Sequence, residues 1–270
     1  MKNINWLIAG LALLGSGCLS VPRPTARTLP QECGQALNAD LGAWNFDSAV
    51  VRTNRCIKQH RARLEELGKA EAEKKEALRE EAAAARSALA RLLCVKTQVL
   101  ALKGDLAKAQ ETLKYAELFN RAYPELGMSL AINNSMLPIT RAFVLEKSGD
   151  LKGAAAAYRN IAEASRAAGF ISYPDLVCGR LAVIAFESGD NKAAARWSGQ
   201  TASFDSGARA VQGAMLQKLG DQPGAKDKYE EALKLFSAAS NSASIVLPVY
   251  FAEQQRVKDG LAEVEKDIYK

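Results

Sequence analysis

Apolar residues along this chain recur at three- and four-residue intervals rather than in alternation, and alanine, glutamate, lysine and arginine fill the positions between them. That period is the helical one. Alanine runs such as Ala82–Ala85 and Ala154–Ala157 add intrinsic helix propensity. The pattern predicts an all-α chain. Four segments repeat a Gly-Asp step with an alanine five residues after the glycine: Gly104-Asp105 with Ala109, Gly149-Asp150 with Ala154, Gly189-Asp190 with Ala194, and Gly220-Asp221 with Ala225. Seven residues before each glycine stands a small side chain, Thr97, Ala142, Ala182 or Gly213. Nine places after it stand Leu113, Tyr158 and Tyr229, while Ser198, beside Trp197, breaks the pattern in the third segment. Glycine suits the left-handed C-cap of one helix and aspartate the N-cap of the next. Each step therefore predicts a tight turn between two closely packed helices.

This arrangement resembles the tetratricopeptide repeat over about residues 85–240, with a degenerate start at Phe46-Asp47-Ser48-Ala49. The resemblance implies a solenoid of antiparallel helix pairs. The glycines lie 45, 40 and 31 residues apart, where the family's unit is about 34; longer helices or insertions at Pro124–Met128 and Gly169–Pro174 absorb the excess. On this reading residues 93–240 are TPR-like repeats and residues 32–92 form a helical hairpin followed by a long charged helix. From Lys58 to Arg91 the chain holds no proline and one glycine, Gly68. Glu65–Lys69 and Glu71–Lys75 supply i,i+4 pairs. Leu64, Leu67, Leu78, Leu89 and Leu92 make a heptad broken at Glu71, Lys74 and Glu81, so a coiled-coil seam with a partner is interrupted and a solvated helix is the better reading. In residues 241–270, after the serine-rich loop Ser237–Ser244, Val257, Leu261, Val264 and Ile268 mark an amphipathic helix expected to cap the array.

In the resembled family one helix of each pair lines a concave surface, at fixed offsets before the turn glycine. Those offsets fall on Met136, Ile139, Phe143 and Glu146 in one repeat, and on Leu176, Gly179, Val183 and Phe186 in the next. The same places give Arg91 and Gln98 upstream and Gln217 downstream. A groove apolar at its centre and polar at its ends suits an apolar peptide or an amphipathic helix of a partner protein. The same side chains serve as an interior if the C-terminal helix or tight curvature covers them, and the sequence leaves both readings open.

The N-terminus adds a compartment. Lys2 precedes a short apolar run, Trp6 to Leu14, then Gly15-Ser16-Gly17-Cys18. The run is far below the ~20 residues that span a bilayer, and it reads as a signal peptide over residues 1–17. Its end resembles the lipobox of bacterial lipoproteins, although Gly15 stands where leucine is usual. The resemblance implies cleavage before Cys18 and acylation of that cysteine. Leu19 is not the aspartate that retains enterobacterial members at the inner membrane, so the implied destination is the outer membrane, facing the periplasm. Residues 18–31, with Pro22, Pro24 and Pro30, read as a tether. The longest later apolar run, Ile245 to Phe251, is too short to span a membrane and contains Pro248.

An oxidising compartment lets cysteines pair. Counted outward from the turn at Gly42-Ala43-Trp44-Asn45, Cys33 and Cys56 fall opposite one another in a helical hairpin, and a disulfide there would stabilise by roughly 3 kcal/mol. Cys94 and Cys178 lie two repeats apart and read better as small buried apolar side chains. The only histidine, His60, sits among Lys58, Arg61 and Arg63 and reads as a surface residue, so no metal site is expected.

The net charge of +6 is interspersed with acids rather than gathered into a stripe, which argues against nucleic acid. No HExxH, G-x-S-x-G, P-loop or G-x-G-x-x-G occurs, and adjacent pairs such as Glu65-Glu66 and Glu230-Glu231 point about 100° apart on a helix. No enzyme activity, cofactor or small-molecule substrate is expected. The chain reads as a lipid-anchored scaffold for another envelope protein or peptide, assisting assembly of an outer-membrane complex of secretin, polysaccharide-export or motility type. The alternative is a lipoprotein regulator of a peptidoglycan synthase or hydrolase.

Overall fold

The computed structural model describes residues 33–70, 77–123, 131–167, 175–201, 205–242 and 246–269. The signal segment, Cys18 and the tether lie outside them, as do Glu71, Lys74, Lys75 and the expected insertions at Pro124–Met128 and Gly169–Pro174. The described residues form eleven α-helices and no strand: α1 (Gln35–Gly42), α2 (Phe46–Ala70), α3 (Ala77–Lys103), α4 (Leu106–Ala122), α5 (Ala131–Lys147), α6 (Leu151–Ala167), α7 (Asp175–Glu187), α8 (Asn191–Ser198), α9 (Ser206–Lys218), α10 (Gln222–Ser240) and α11 (Gln254–Ile268). A 3-10 turn, Pro248–Phe251, precedes the last.

The Gly-Asp steps carry the register. Gly104, Gly149, Gly189 and Gly220 have φ of 87°, 84°, 78° and 81°, a conformation that side chains with a Cβ resist. In each turn the glycine N–H donates to the carbonyl three residues back and the aspartate N–H to the carbonyl five back, as from Asp150 to Leu145 at 3.0 Å. This closes the outgoing helix. The aspartate carboxylates then cap the incoming helices, accepting from the backbone N–H of Lys108 (3.4 Å), Gly153 (2.8 Å), Ala193 (2.9 Å) and Gly224 (3.0 Å). Ala109, Ala154, Ala194 and Ala225 are completely buried, as are Thr97, Ala142 and Ala182. At Gly213 even a methyl group would stand 2.7 Å from the Tyr229 ring. Small residues thus bring the two helices of each pair into close contact.

The pairs do not stack evenly. Helix α3 packs on α5, and α7 on α9, but α7 rests on α6. Against α3 and α9 the chain packs its own C-terminal segment: Val249 joins the buried cluster that also holds Phe143 and Val183, and Glu253 just beyond it pairs with Arg180 of α7 at 2.8 Å.

The charged block departs from the sequence expectation. It is not one solvated helix, because α2 and α3 fold back as a hairpin in which Leu67, Ala82 and Ala85 bury one another, flanked by Leu64 and Leu78. Arg63 reaches across to Glu81 at 2.6 Å, and Leu89 and Leu92 complete the seam beside Cys33 and Cys56. The broken heptad closes on itself, since two antiparallel helices shield apolar side chains that one continuous helix would leave in water. The boundary expected between residues 92 and 93 falls inside α3, which packs on α2 on one side and on α4 and α5 on the other.

The array then closes. Helix α1 packs on α2, α10 and the 3-10 turn. Asn38, completely buried, donates to the Ser242 carbonyl at 2.9 Å and accepts from the Val246 N–H at 3.1 Å. Gln254 donates to the Gly42 carbonyl at 2.8 Å. Helix α11 covers α10 and α9, burying Val257 and Val264, with Gly260 against the Tyr229 ring. Cys33 and Cys56 form a disulfide with Cα atoms 6.0 Å apart. Cys94 and Cys178 are free and buried, and burial pushes both thiols up to about 12, which leaves them protonated and inert at neutral pH. His60 is half-buried rather than on the open surface; burial lowers its pKa, and its Nε2 has no hydrogen-bond partner among the described residues.

Candidate functional site

The residues expected to line a groove are brought together, but inside the protein. Ile139, Phe143, Leu176 and Val183 belong to the main core, with Phe143 and Val183 fully buried. Of the two readings left open by the sequence these residues take the interior one, and Val249 of the chain's own segment 246–251 joins the same cluster. The segment's apolar run is the longest after the signal segment, and it finds there the apolar surface it needs to leave water. Gln98 holds this plug. Its Oε1 accepts from the Val249 N–H at 3.2 Å and its Nε2 donates to Thr140 Oγ1 at 2.8 Å, so the side chain is satisfied at both ends within the core. Phe186 is half-buried, with the Lys218 ammonium 4.1 Å from its ring centroid. Gln217 accepts from the Tyr229 hydroxyl at 2.9 Å and donates to Glu263 at 3.2 Å, joining α9 to α10 and α11. Arg91 and Met136 stand apart, at a cavity of about 30 Å³ shared with Cys94, which has room for water and none for a peptide.

Two further residues at those offsets meet buried charge. Glu146 is 6% exposed and accepts from both Arg180 Nη2 and Arg180 Nε, the latter at 3.0 Å. Glu253 takes the other arm of the same guanidinium. Arg256 then links Glu253, at 3.2 Å, to Glu187 on the surface, and Lys147 ends the chain 3.6 Å from Glu146. Burial alone would lower the Arg180 pKa, but the carboxylates of Glu146 and Glu253 overcome it and hold the guanidinium well above its ordinary value. Burial opposes ionisation of Glu253 too, yet Arg180 and Arg256 hold its carboxyl below the usual range. Alternating signs make this line of charge self-compensating, and it locks the plug to α5 and α7.

Gly179 faces Asp205, whose carboxylate leaves no space for a Cβ there. Asp205 caps α9 through the Ala208 N–H at 2.8 Å. Burial pushes its pKa up to about 6, against the pull of that hydrogen bond and of Arg180. An acid whose folded pKa is raised favours folding at low pH, and the contribution is lost as pH rises through 6. Asp205→Asn keeps a capping oxygen and removes the ionisation. The variant is expected to match the parent near pH 3, to exceed it by about 1 kcal/mol at pH 4.5 and by up to about 3 kcal/mol at pH 7.5. Thermal melts across that range check it, and a constant difference would show that the carboxylate stays ionised throughout.

The open concavity lies elsewhere. Helices α2 and α4 stand on either side of the outer face of α3, enclosing a cleft of about 660 Å³. Its floor is Leu93, Lys96 and Leu100; Ile57, Lys58 and Arg61 rise from α2, and Lys108 and Tyr115 from α4. Five cations, Lys103 included, face two carboxylates, Asp105 and Glu111. Lys103 pairs with Asp47 and Lys108 with Asp105. Lys58, Arg61 and Lys96 have no carboxylate within ion-pair distance among the described residues. Burial, followed by the charge of Arg61, lowers the Lys96 pKa. Arg61 covers the Tyr115 ring at 5.1 Å, both residues belonging to the lining. The sequence carried a trace of this site in Lys96, Leu100 and Lys103, which share one helical face, but the wall from α2 arrives only through the fold-back.

Among the described residues no group of three His, Cys, Asp or Glu side chains stands close enough to hold a metal ion, and no helix is long and apolar enough to cross a membrane. Comparison with protein-family models, curated proteins and solved structures finds no match for this chain.

Proposed function

We propose that the chain is a lipid-anchored scaffold of the bacterial envelope, held to the outer membrane through Cys18 and facing the periplasm, where it assists assembly of an envelope complex. The observation that carries the binding half of this reading is the cleft over α3, a charged and apolar concavity on a frame of packed helices. Its volume falls within the range of recognition pockets, about 300–1,000 Å³. The four capped Gly-Asp turns favour a TPR-like array as that frame, one whose usual concave groove is closed by the chain's own C-terminal segment. The anchoring half rests on Leu14-Gly15-Ser16-Gly17-Cys18 and on the disulfide between Cys33 and Cys56, which suits an oxidising compartment.

Metabolic labelling of the full-length protein with palmitate in a bacterial host is expected to mark the wild type and to leave Cys18→Ser unlabelled. Absence of label from the wild type would remove the anchor. Affinity capture from detergent-solubilised membranes is expected to recover a defined envelope protein. Recovery of nothing beyond background would remove the scaffold.

A further inference from the structure

We propose that the cleft between α2, α3 and α4 binds an extended acidic segment of a partner protein, with carboxylates seated on Lys58, Arg61 and Lys96. This deepens the scaffold reading and rests on it.

The shape comes first. From Val50 to Arg61 the α2 wall rises through about 16 Å, the length of roughly five residues of extended chain. A flat membrane surface could not reach the floor formed by Leu93, Lys96 and Leu100. A chain entering lengthwise could.

The lining matches that occupant. Val50 and the exposed part of Tyr115 offer apolar contact at the walls, above a floor where Leu93, Leu100 and Ile57 are buried, and the cations meet the acidic side chains between them. Asn54 and Thr112 stand on opposite walls with polar groups suited to a peptide backbone. A nucleic acid strand would require open aromatic faces, and the ring of Tyr115 is covered by Arg61.

The electrostatics point the same way. Lys58, Arg61 and Lys96 crowd like charge into one recess; burial first and then the charge of Arg61 lower the Lys96 pKa, with Glu111 opposing them. An arriving carboxylate relieves the repulsion and supplies the counter-charge that the chain leaves out.

The test uses the full-length chain in detergent micelles and a fluorescein-labelled ten-residue peptide alternating glutamate with valine. Fluorescence anisotropy is expected to show saturable binding that weakens as salt is raised, at least about tenfold tighter than for the peptide with lysine in place of glutamate. Lys58→Glu and Lys96→Glu are each expected to weaken binding by about tenfold with circular dichroism and melting temperature unchanged. Lys58 is exposed, so its variant keeps the test valid if reversal at half-buried Lys96 disturbs the fold. Equal affinity for the two peptides, or binding unchanged in Lys58→Glu, would overturn the proposal. Tighter binding of soluble dihexanoylphosphatidylglycerol than of the acidic peptide would overturn it in favour of a lipid headgroup. Capture of an envelope protein equally by wild type and Lys58→Glu would leave the scaffold standing and remove the cleft; peptide binding with no protein captured would do the reverse.

Discussion

An Arg180→Leu protein is expected to lose about 3–5 kcal/mol of stability, because Glu146 and Glu253 then stay in the core with only the more exposed Lys147 and Arg256 as counter-charge. The magnitude comes from the abandoned carboxylates rather than from the ion pairs themselves, whose Coulomb attraction is largely offset by desolvation. Acidity therefore provides a signature. Deprived of Arg180, the buried Glu253 carboxyl protonates at higher pH than before, so the defect should shrink as pH falls toward 5. Wild type behaves oppositely at Glu253. Its lowered carboxyl pKa contributes stability above the unfolded value, and that contribution is lost only as pH falls through the folded one. Urea melts at several pH values would decide the matter, and a defect that does not vary with pH would place the loss in packing instead.

The second large effect is expected at the plug. Phe251 is completely buried, with its ring 6.4 Å from that of Phe236 and in one cluster with Leu37, Leu41 and Val99. Phe251→Ala removes this anchor at a cost of about 3–5 kcal/mol. The consequence should not stay local, because α1 touches α10 and the 3-10 turn as well as α2. Hydrogen exchange should accelerate in α1 as well as in α11, while the turn at Gly149-Asp150 keeps its protection. Acceleration confined to residues 246–269 would show that α1 is held by the disulfide and α2 alone.

What could be read beforehand was whatever local chemistry determines. A glycine at positive φ followed by a capping aspartate needs only its near neighbours, so all four Gly-Asp turns could be placed from residue types alone. The Cys33–Cys56 pair followed from counting outward across one short turn. The fold-back of the charged block was hidden because Ala, Glu and Lys propagate one long helix as readily as two short ones. The choice lay with Leu64, Leu67 and Leu78, which meet only after the chain reverses. For the same reason the cleft was invisible, since Lys58 and Lys96 face one another only across that reversal. The run Ile245 to Phe251 announced burial but not its destination. Arg180 lies one residue from an expected groove position, Gly179, yet its partners Glu146 and Glu253 lie 34 and 73 residues away in sequence.

The pairing of Asn38 with Ser242 and Val246 spans 204 and 208 residues. A chain delivered from its N-terminus, as during synthesis, presents α1 long before the surface that receives it exists. Bringing the two together afterwards costs about 5 kcal/mol in loop entropy, and contacts so remote in sequence form slowly. In the interval the link from Cys33 to Cys56 keeps α1 beside α2, at the berth where the tail will later arrive.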